Sequence, residues 1–178
     1  MIRMLSLTMN DTAAELLGVR AGHLALTPPG GLAPGLRDRL AEGIASRGTV
    51  LTWAASTGDA DGSPAVVGDL TGWECADSAF HLEDHVPVDV RIVDGAPRIP
   101  EDDQRVLLLH GIAFAMEFRA LIDALDHLGP VRCIVAANET SATFRFHRIR
   151  PGESWNRPDL DTYAMDRMVV IDFGPAEV

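Results

Sequence analysis

The sequence predicts an α/β or α+β fold: a mixed β-sheet of about six or seven strands, with a long buried helix at about 101–128 and a second helix at about 33–47 packed on it. Three observations carry this expectation. Short apolar or alternating stretches bounded by Gly/Pro turns recur from His23 to Phe173. Pro100-Glu101-Asp102-Asp103 opens a segment whose first half is apolar nearly all round, as in a buried helix. The 178 residues, 47% hydrophobic and 23% charged, can bury a core without disulfide or metal staples. One domain over 1–178 is expected, with 56–64 as the place where it would split into two subdomains.

The elements follow in order. Asn10 or Asp11 caps a short helix through Leu17. HLALT, His23 to Thr27, reads as a strand, and PPGG breaks it. Leu36, Leu40 and Ile44 recur every fourth residue, which puts them on one face of a helix from Ala33 to Arg47, stopped by Gly48. TVLTWAA, from Thr49, is a second strand, and this strand–helix–strand order is compatible with a parallel pair. Ser56 to Pro64 is a loop by composition, and Val66 to Asp77 has no clear period. From Phe80 to Ile92, Phe80, Leu82, Val86, Val88, Val90 and Ile92 alternate with polar residues. That period of two predicts a half-buried strand, bent at Pro87, with a turn beginning at Val93-Asp94-Gly95. The helix that starts at Pro100 runs to about Leu128, where Gly129-Pro130 ends it. VRCIVAA from Val131 and Ala142 to Ile149 form a hairpin, and Met168 to Phe173 is a last strand.

Charge narrows the function. The formal net charge is −11, and Ala55 to Gln104 alone holds 12 acids against 2 arginines. Arg132 to Arg157 reverses the sign, with 5 arginines and 2 acids. Such a chain lacks the basic footprint that a phosphate backbone or an anionic membrane requires. A basic protein partner is therefore favoured over nucleic acid, no membrane is expected, and room remains for a small anionic ligand. All 15 basic residues are arginine. The missing lysine, with abundant Ala, Gly and Pro, fits a GC-rich bacterial genome. It also removes Schiff-base chemistry and the P-loop. Cys75 and Cys133 make no CxxC pair, and no cofactor is expected. The N-terminus lacks a signal-peptide pattern, and the apolar run Val106 to Met116 is too short to span a bilayer, so a cytoplasmic location is expected.

Few residue sets suggest chemistry. HLEDH, His81 to His85, offers two histidines and two carboxylates. In a helix the histidines would share a metal, but in a strand four residues span about 13 Å, too far for one zinc. The alternation favours the strand, leaving His81 and Glu83 as the only metal candidates. VLLLHG, Val106 to Gly111, resembles the strand-plus-His-Gly motif before the oxyanion loop of α/β-hydrolases. The GxSxG elbow of that family is absent, and the Pro100 helix start makes His110 a core or helix-face residue. Asn138-Glu139-Thr140 matches a glycosylation sequon without a secretory signal beside it. PPGG lies just before a helix, where N–H groups can hold an anion. In TFRFHRIRPGESW, Phe144 and Phe146 face the core while Arg145 and His147 point away from it.

Two function classes follow. The first is a non-catalytic acidic binding protein that engages a basic partner, as an antitoxin, immunity-type inhibitor or adaptor does, using Glu83, Asp84, Asp89 and Trp155. The second is a small cofactor-free enzyme, an isomerase, lyase or cyclase, acting on an anionic metabolite in a bacterial biosynthetic pathway. In that case Arg145, Arg148 and Arg150 bind the anion, and His85, His147 or Asp172 moves the proton.

Overall fold

A computed structural model describes residues 3–22, 26–58, 68–126 and 128–175. Its main sheet is antiparallel, with five strands in the spatial order β1 (Arg3–Met9), β9 (Arg167–Pro175), β7 (Val131–Ala137), β8 (Ala142–Arg148) and β4 (Phe80–His81). Two hairpins stand beside it: β2 (Ile44–Arg47) with β3 (Val50–Trp53), and β5 (Arg91–Val93) with β6 (Ala96–Arg98). The helices are α1 (Asp11–Leu16), α2 (Pro34–Ala41), α3 (Leu70–Ser78) and α4 (Glu101–Asp123). The fold is α+β, with the long helix packed on the sheet.

The alternation of the strands creates two unlike faces. Val131, Cys133 and Val135 of β7 lie opposite Arg148, Phe146 and Phe144 of β8, and opposite Phe173, Ile171 and Val169 of β9. Apart from Arg148 at its end, this face is apolar, and α4 covers it. Phe114 and Phe118 of α4 meet Phe144 and Phe146 with ring centroids 4.7 to 5.8 Å apart. Each of these rings is fully buried and contributes about 2–3 kcal/mol of hydrophobic stabilisation. Trp53 of β3 packs edge-on against Phe146 at 5.1 Å, tying the first hairpin to the same core. Gly111 lets α4 lie tightly on the sheet: a Cβ there would lie 2.4 Å from Val135 Cγ1.

Several expectations are corrected. The strand predicted at His23 to Thr27 lies mostly outside the described residues, as does part of the 56–64 loop; Leu26 and Thr27 are not in a strand. The second helix ends at Ala41 instead of Arg47, because Gly43 takes a left-handed conformation (φ 72°) and turns the chain into β2. β2 and β3 then pair antiparallel around Gly48 rather than forming part of a parallel unit. α4 stops at Asp123, short of 128.

Besides β6, which follows the predicted turn at Val93, two longer elements were not expected. β1 pairs along its whole length with β9. α3 occupies the stretch that has no readable period. Its N-cap Asp69 accepts the Gly72 N–H at 2.6 Å, and its buried positions include the polar Thr71, Glu74 and Ser78.

Candidate functional site

The segment from Phe80 to Ile92 is not one strand. β4 ends at His81, and Leu82–Asp84 forms a 3-10 turn. Leu82 and Val86 are buried, whereas Val90 and Ile92 are 40% and 70% exposed. The apolar residues therefore do not share one buried face: the first half anchors the turn, and Pro87, with no N–H to give a ladder, leads into irregular chain. Val93-Asp94-Gly95-Ala96 then turns sharply, with φ 52° at Asp94 and 79° at Gly95, the geometry of a two-residue hairpin loop.

This segment carries a surface of unusual character. All three residues of β5 are exposed, and Ile92 lies opposite the exposed Pro97. Asp84, Asp89 and Asp94 are exposed along the same stretch, and Glu101 and Asp102 follow at the start of α4. Asp103 accepts the Asp89 N–H at 3.2 Å, so the acidic helix start lies against the approach to the ribbon. Arg91 pairs with Asp89 at 2.6 Å, and Arg98 pairs with Glu139. Glu83 has a different task. Its Oε2 accepts the Ala142 N–H at 2.9 Å, and its Oε1 lies 3.1 Å from His81 Nδ1. It fastens the 3-10 turn to the start of β8.

A second polar centre is internal. Glu74 of α3 is fully buried. Its Oε1 accepts the Leu51 N–H and Arg150 Nη2, each at 2.6 Å. Its Oε2 accepts the Arg148 N–H at 2.7 Å and Arg150 Nη1 at 2.8 Å. One turn later, Ser78 Oγ accepts the Phe146 N–H at 2.9 Å and donates to the Phe146 carbonyl at 2.8 Å. Beyond the short β4, these i and i+4 side chains stand in for the missing neighbour of β8. They satisfy an edge that would otherwise be bare.

The other sheet face holds Arg132, Asp172, Arg145 and His147. Arg132 grips Asp172 with two bonds of 2.7 Å and reaches Asn156 at 3.2 Å. The Asp172 hydrogen bond holds the Arg132 guanidinium more firmly protonated than usual, against the opposing effect of burial. Arg145 stacks over Trp155 at 5.0 Å, and burial lowers its pKa. Trp155 itself is 44% exposed. His147 is buried; its Nδ1–H donates to the Arg148 carbonyl at 2.7 Å, and its Nε2 has no partner among the described residues. Burial lowers its pKa and keeps the ring neutral.

Of the residues expected to form a catalytic set, Asp172, Arg145 and His147 share this second sheet face, while His85, Arg148 and Arg150 lie elsewhere. Arg150 is engaged with Glu74, and Arg148 reaches Ser46. His85 stacks edge-on against Phe80 at 5.3 Å. Asp172 is held by Arg132, at a small cleft of about 100 Å³ beside Asn156 and Leu160. His85, His147, Arg145, Arg148 and Arg150 do not line that cleft, nor the three clefts at Thr12–Arg167, Arg39–Asp77 and Pro29–His110. His81 and Glu83 are neighbours, but among the described residues no three His, Cys, Asp or Glu side chains gather as a metal set. Both cysteines are free and buried; burial pushes the Cys75 thiol up to about 12 and Cys133 well above its usual value. Neither is a thiolate nucleophile. Glu74, Arg132 and His110 were not singled out as site residues. Their partners lie 76, 40 and 77 positions away, and no local pattern announces them.

The architecture is thus an α+β domain with an acid-flanked apolar ribbon at the start of its long helix. The chain belongs to the family described as Uncharacterized protein PM0498 family, which matches residues 31–177. No curated protein and no solved structure matches the chain. Among the described residues, no helix is long and apolar enough to cross a membrane.

Proposed function

We propose that this protein is a non-catalytic acidic binding protein that engages a basic protein partner through its β5–β6 ribbon, as an immunity-type inhibitor, antitoxin or adaptor does. The observation that supports this best is the exposure of Ile92 and Val93 on a two-stranded ribbon, and of Val90 just before it, bordered by Asp84, Asp89, Asp94, Glu101 and Asp102. An isolated ribbon gains little stability from leaving such residues in water. An apolar centre with a charged rim is the usual anatomy of a binding surface. The acids steer a basic partner into encounter, and the apolar residues lengthen the life of the complex. Glu83 holds the segment in place, and Trp155 is a separate exposed anchor on the opposite sheet face.

The test is capture from extract of the native cell with three baits: the wild-type chain, Ile92→Asp/Val93→Ser, and Asp84→Asn/Asp89→Asn/Asp94→Asn. The expected result is one stoichiometric basic protein, held by the wild type at low salt and lost from both variants. Its association rate falls with salt for the wild type and much less for the charge variant. A partner held equally by all three baits, or no stoichiometric basic partner at low salt, overturns the proposal.

A further inference from the structure

A cleft of about 380 Å³ lies where the PPGG loop, the chain after His85 and α4 meet. It adjoins the acidic rim at Val86 and Pro87 but shares none of the residues named for the surface above. Its walls are mainly apolar, with Pro29, Leu32, Val86 and Val106 among them. Gly30 and Gly31 shape its edge, with φ of 79° and 81°, a pair of left-handed residues that side chains would strain. The opposite wall is rigid: a Cβ on Gly35 would lie 2.8 Å from the His85 carbonyl, so α2 rests directly on that backbone.

Two polar groups open onto the cleft. His110 follows Val106 by one helical turn and is only 7% exposed. Its Nδ1 accepts the Ala33 N–H at 3.3 Å, which places the proton on Nε2. That Nε2–H makes no hydrogen bond among the described residues. Burial lowers the pKa of the ring, so it is a neutral donor. Arg37, on the first turn of α2, also lines the cleft, and its guanidinium has no hydrogen bond or ion pair among the described residues. Arg37 is exposed, so its fork is free to take a carboxylate at the mouth of the cleft.

We infer that this cleft binds a small carboxylate with an apolar aliphatic or aromatic body. The body lies against Pro29, Leu32, Val86 and Val106. The carboxylate takes the Arg37 fork, and His110 Nε2–H donates to an oxygen of the ligand. The volume is of the size that holds a small metabolite, and a mainly apolar lining with a few convergent polar groups is what such sites require. Arginine suits a planar carboxylate because its fork can give two parallel hydrogen bonds.

The experiment is titration of the ¹⁵N-labelled chain with benzoate, benzyl alcohol and acetate, followed through the amides of Gly31, Leu32 and Val106. Benzoate should give saturable shifts there. Benzyl alcohol lacks the charge and acetate lacks the body, and each should bind at least about tenfold more weakly. Arg37→Gln, an exposed position, should bring benzoate down to the level of benzyl alcohol and leave benzyl alcohol unchanged. Val106→Trp, which fills the cleft, should abolish both. Benzoate binding no tighter than acetate, or benzoate binding unaltered in Arg37→Gln, overturns the inference. Shifts confined to another part of the chain do the same. If Val106→Trp does not fold, the Arg37 comparison decides alone. None of these outcomes bears on capture by the ribbon, so the two proposals fail separately.

Discussion

Replacing Glu74 by alanine should cost more than any other single polar change in this chain. The substitution leaves three groups behind: the Arg150 guanidinium, whose side chain is 15% exposed, and the backbone N–H groups of Leu51 and Arg148. Removing one member of a buried ion pair costs about 3–5 kcal/mol. Each N–H left dry adds about 1–3 kcal/mol, reduced where water enters the space vacated by the carboxylate. The terms are not additive, and about 5 kcal/mol is the expected loss. A domain of this size has about 5–15 kcal/mol in total, so Glu74→Ala should be marginal or unfolded. Glu74→Gln keeps the shape but offers one acceptor oxygen where the site presents donors to both, and it should cost about 3 kcal/mol.

The measurement is urea unfolding followed by circular dichroism, in a double-mutant cycle of Glu74→Gln and Arg150→Met. Arg150→Met alone strands the carboxylate with only its two backbone donors. The double variant removes both charges, so the coupling between the sites should be about 2 kcal/mol or more. A loss under about 1 kcal/mol for Glu74→Ala, or coupling under about 0.5 kcal/mol, refutes the reasoning that α3 replaces a strand at the edge of β8.

Gly111→Ala should destabilise by about 1–2 kcal/mol despite the better helix propensity of alanine, because the new Cβ is driven to within 2.4 Å of Val135; thermal unfolding measures it. Ile92→Asp should change stability by no more than about 0.5 kcal/mol, since its side chain is largely in water, and the urea midpoint checks this. Burial lowers the pKa of both His110 and His147 from 6.5, so below that pH the unfolded chain binds more protons than the native one. Stability should be steady above pH 6.5 with respect to these rings and fall below it, by up to about 1.4 kcal/mol per pH unit per ring, until the folded pKa values are passed; His147→Asn should remove about half of that slope in urea titrations. Cys75 and Cys133 should resist a disulfide reagent at neutral pH and react fully in urea, because burial raises both thiols far above the solution pH.

The parts of the fold that were legible are those in which one period dominates. β7, β8 and β9 alternate or run apolar between clear turns, and the start of α4 is marked by Pro100 and three acids. β1 carries the same signal more faintly: Leu5, Leu7 and Met9 oppose Phe173, Ile171 and Val169 of β9, and their alternation with Met4, Ser6 and Thr8 is visible in the sequence. α3 was not legible, because its buried side includes Thr71, Glu74 and Ser78, which carry no apolar period. The Phe80–Ile92 stretch misled for the opposite reason. Leu82 and Val86 are four apart, a spacing that satisfies a strand and a turn of helix alike, and only the 3-10 turn at Leu82–Asp84 distinguishes them. The acidic character of 84–103 was legible from charge counting. The neighbours of His110 and Glu74 were not, since the Ala33 and Arg150 contacts span 77 and 76 residues.

The distribution of charge explains why the acidic field belongs to the surface rather than to a pocket. The best-buried acid is spent on an internal cation: Glu74 on Arg150. Asp172, half-buried, is likewise spent on Arg132. Each such pair is neutral as a unit and adds nothing to the net charge of −11. With 15 arginines against 26 acids, at least 11 acids are left over even if every arginine takes one. Arginines that take no carboxylate among the described residues raise that number further: Arg37 and Arg145 are two, Arg47 bonds only backbone carbonyls, and Arg148 bonds Ser46. Unpaired carboxylates are too costly to bury, so they must face water. The stretch from Asp84 to Asp103 meets that requirement, with exposed acids on irregular chain, a hairpin turn and a helix start. The helix end adds a further reason: acids in the first turn of α4 are stabilised by its free N–H groups, so Asp102 can stay charged in water at little cost, while Glu101 takes Arg167 at 2.8 Å. Among the described residues, a dense run of acids therefore lies beside a ribbon that also leaves apolar side chains in water, and this coincidence of charge and hydrophobicity is what supports the proposed basic partner.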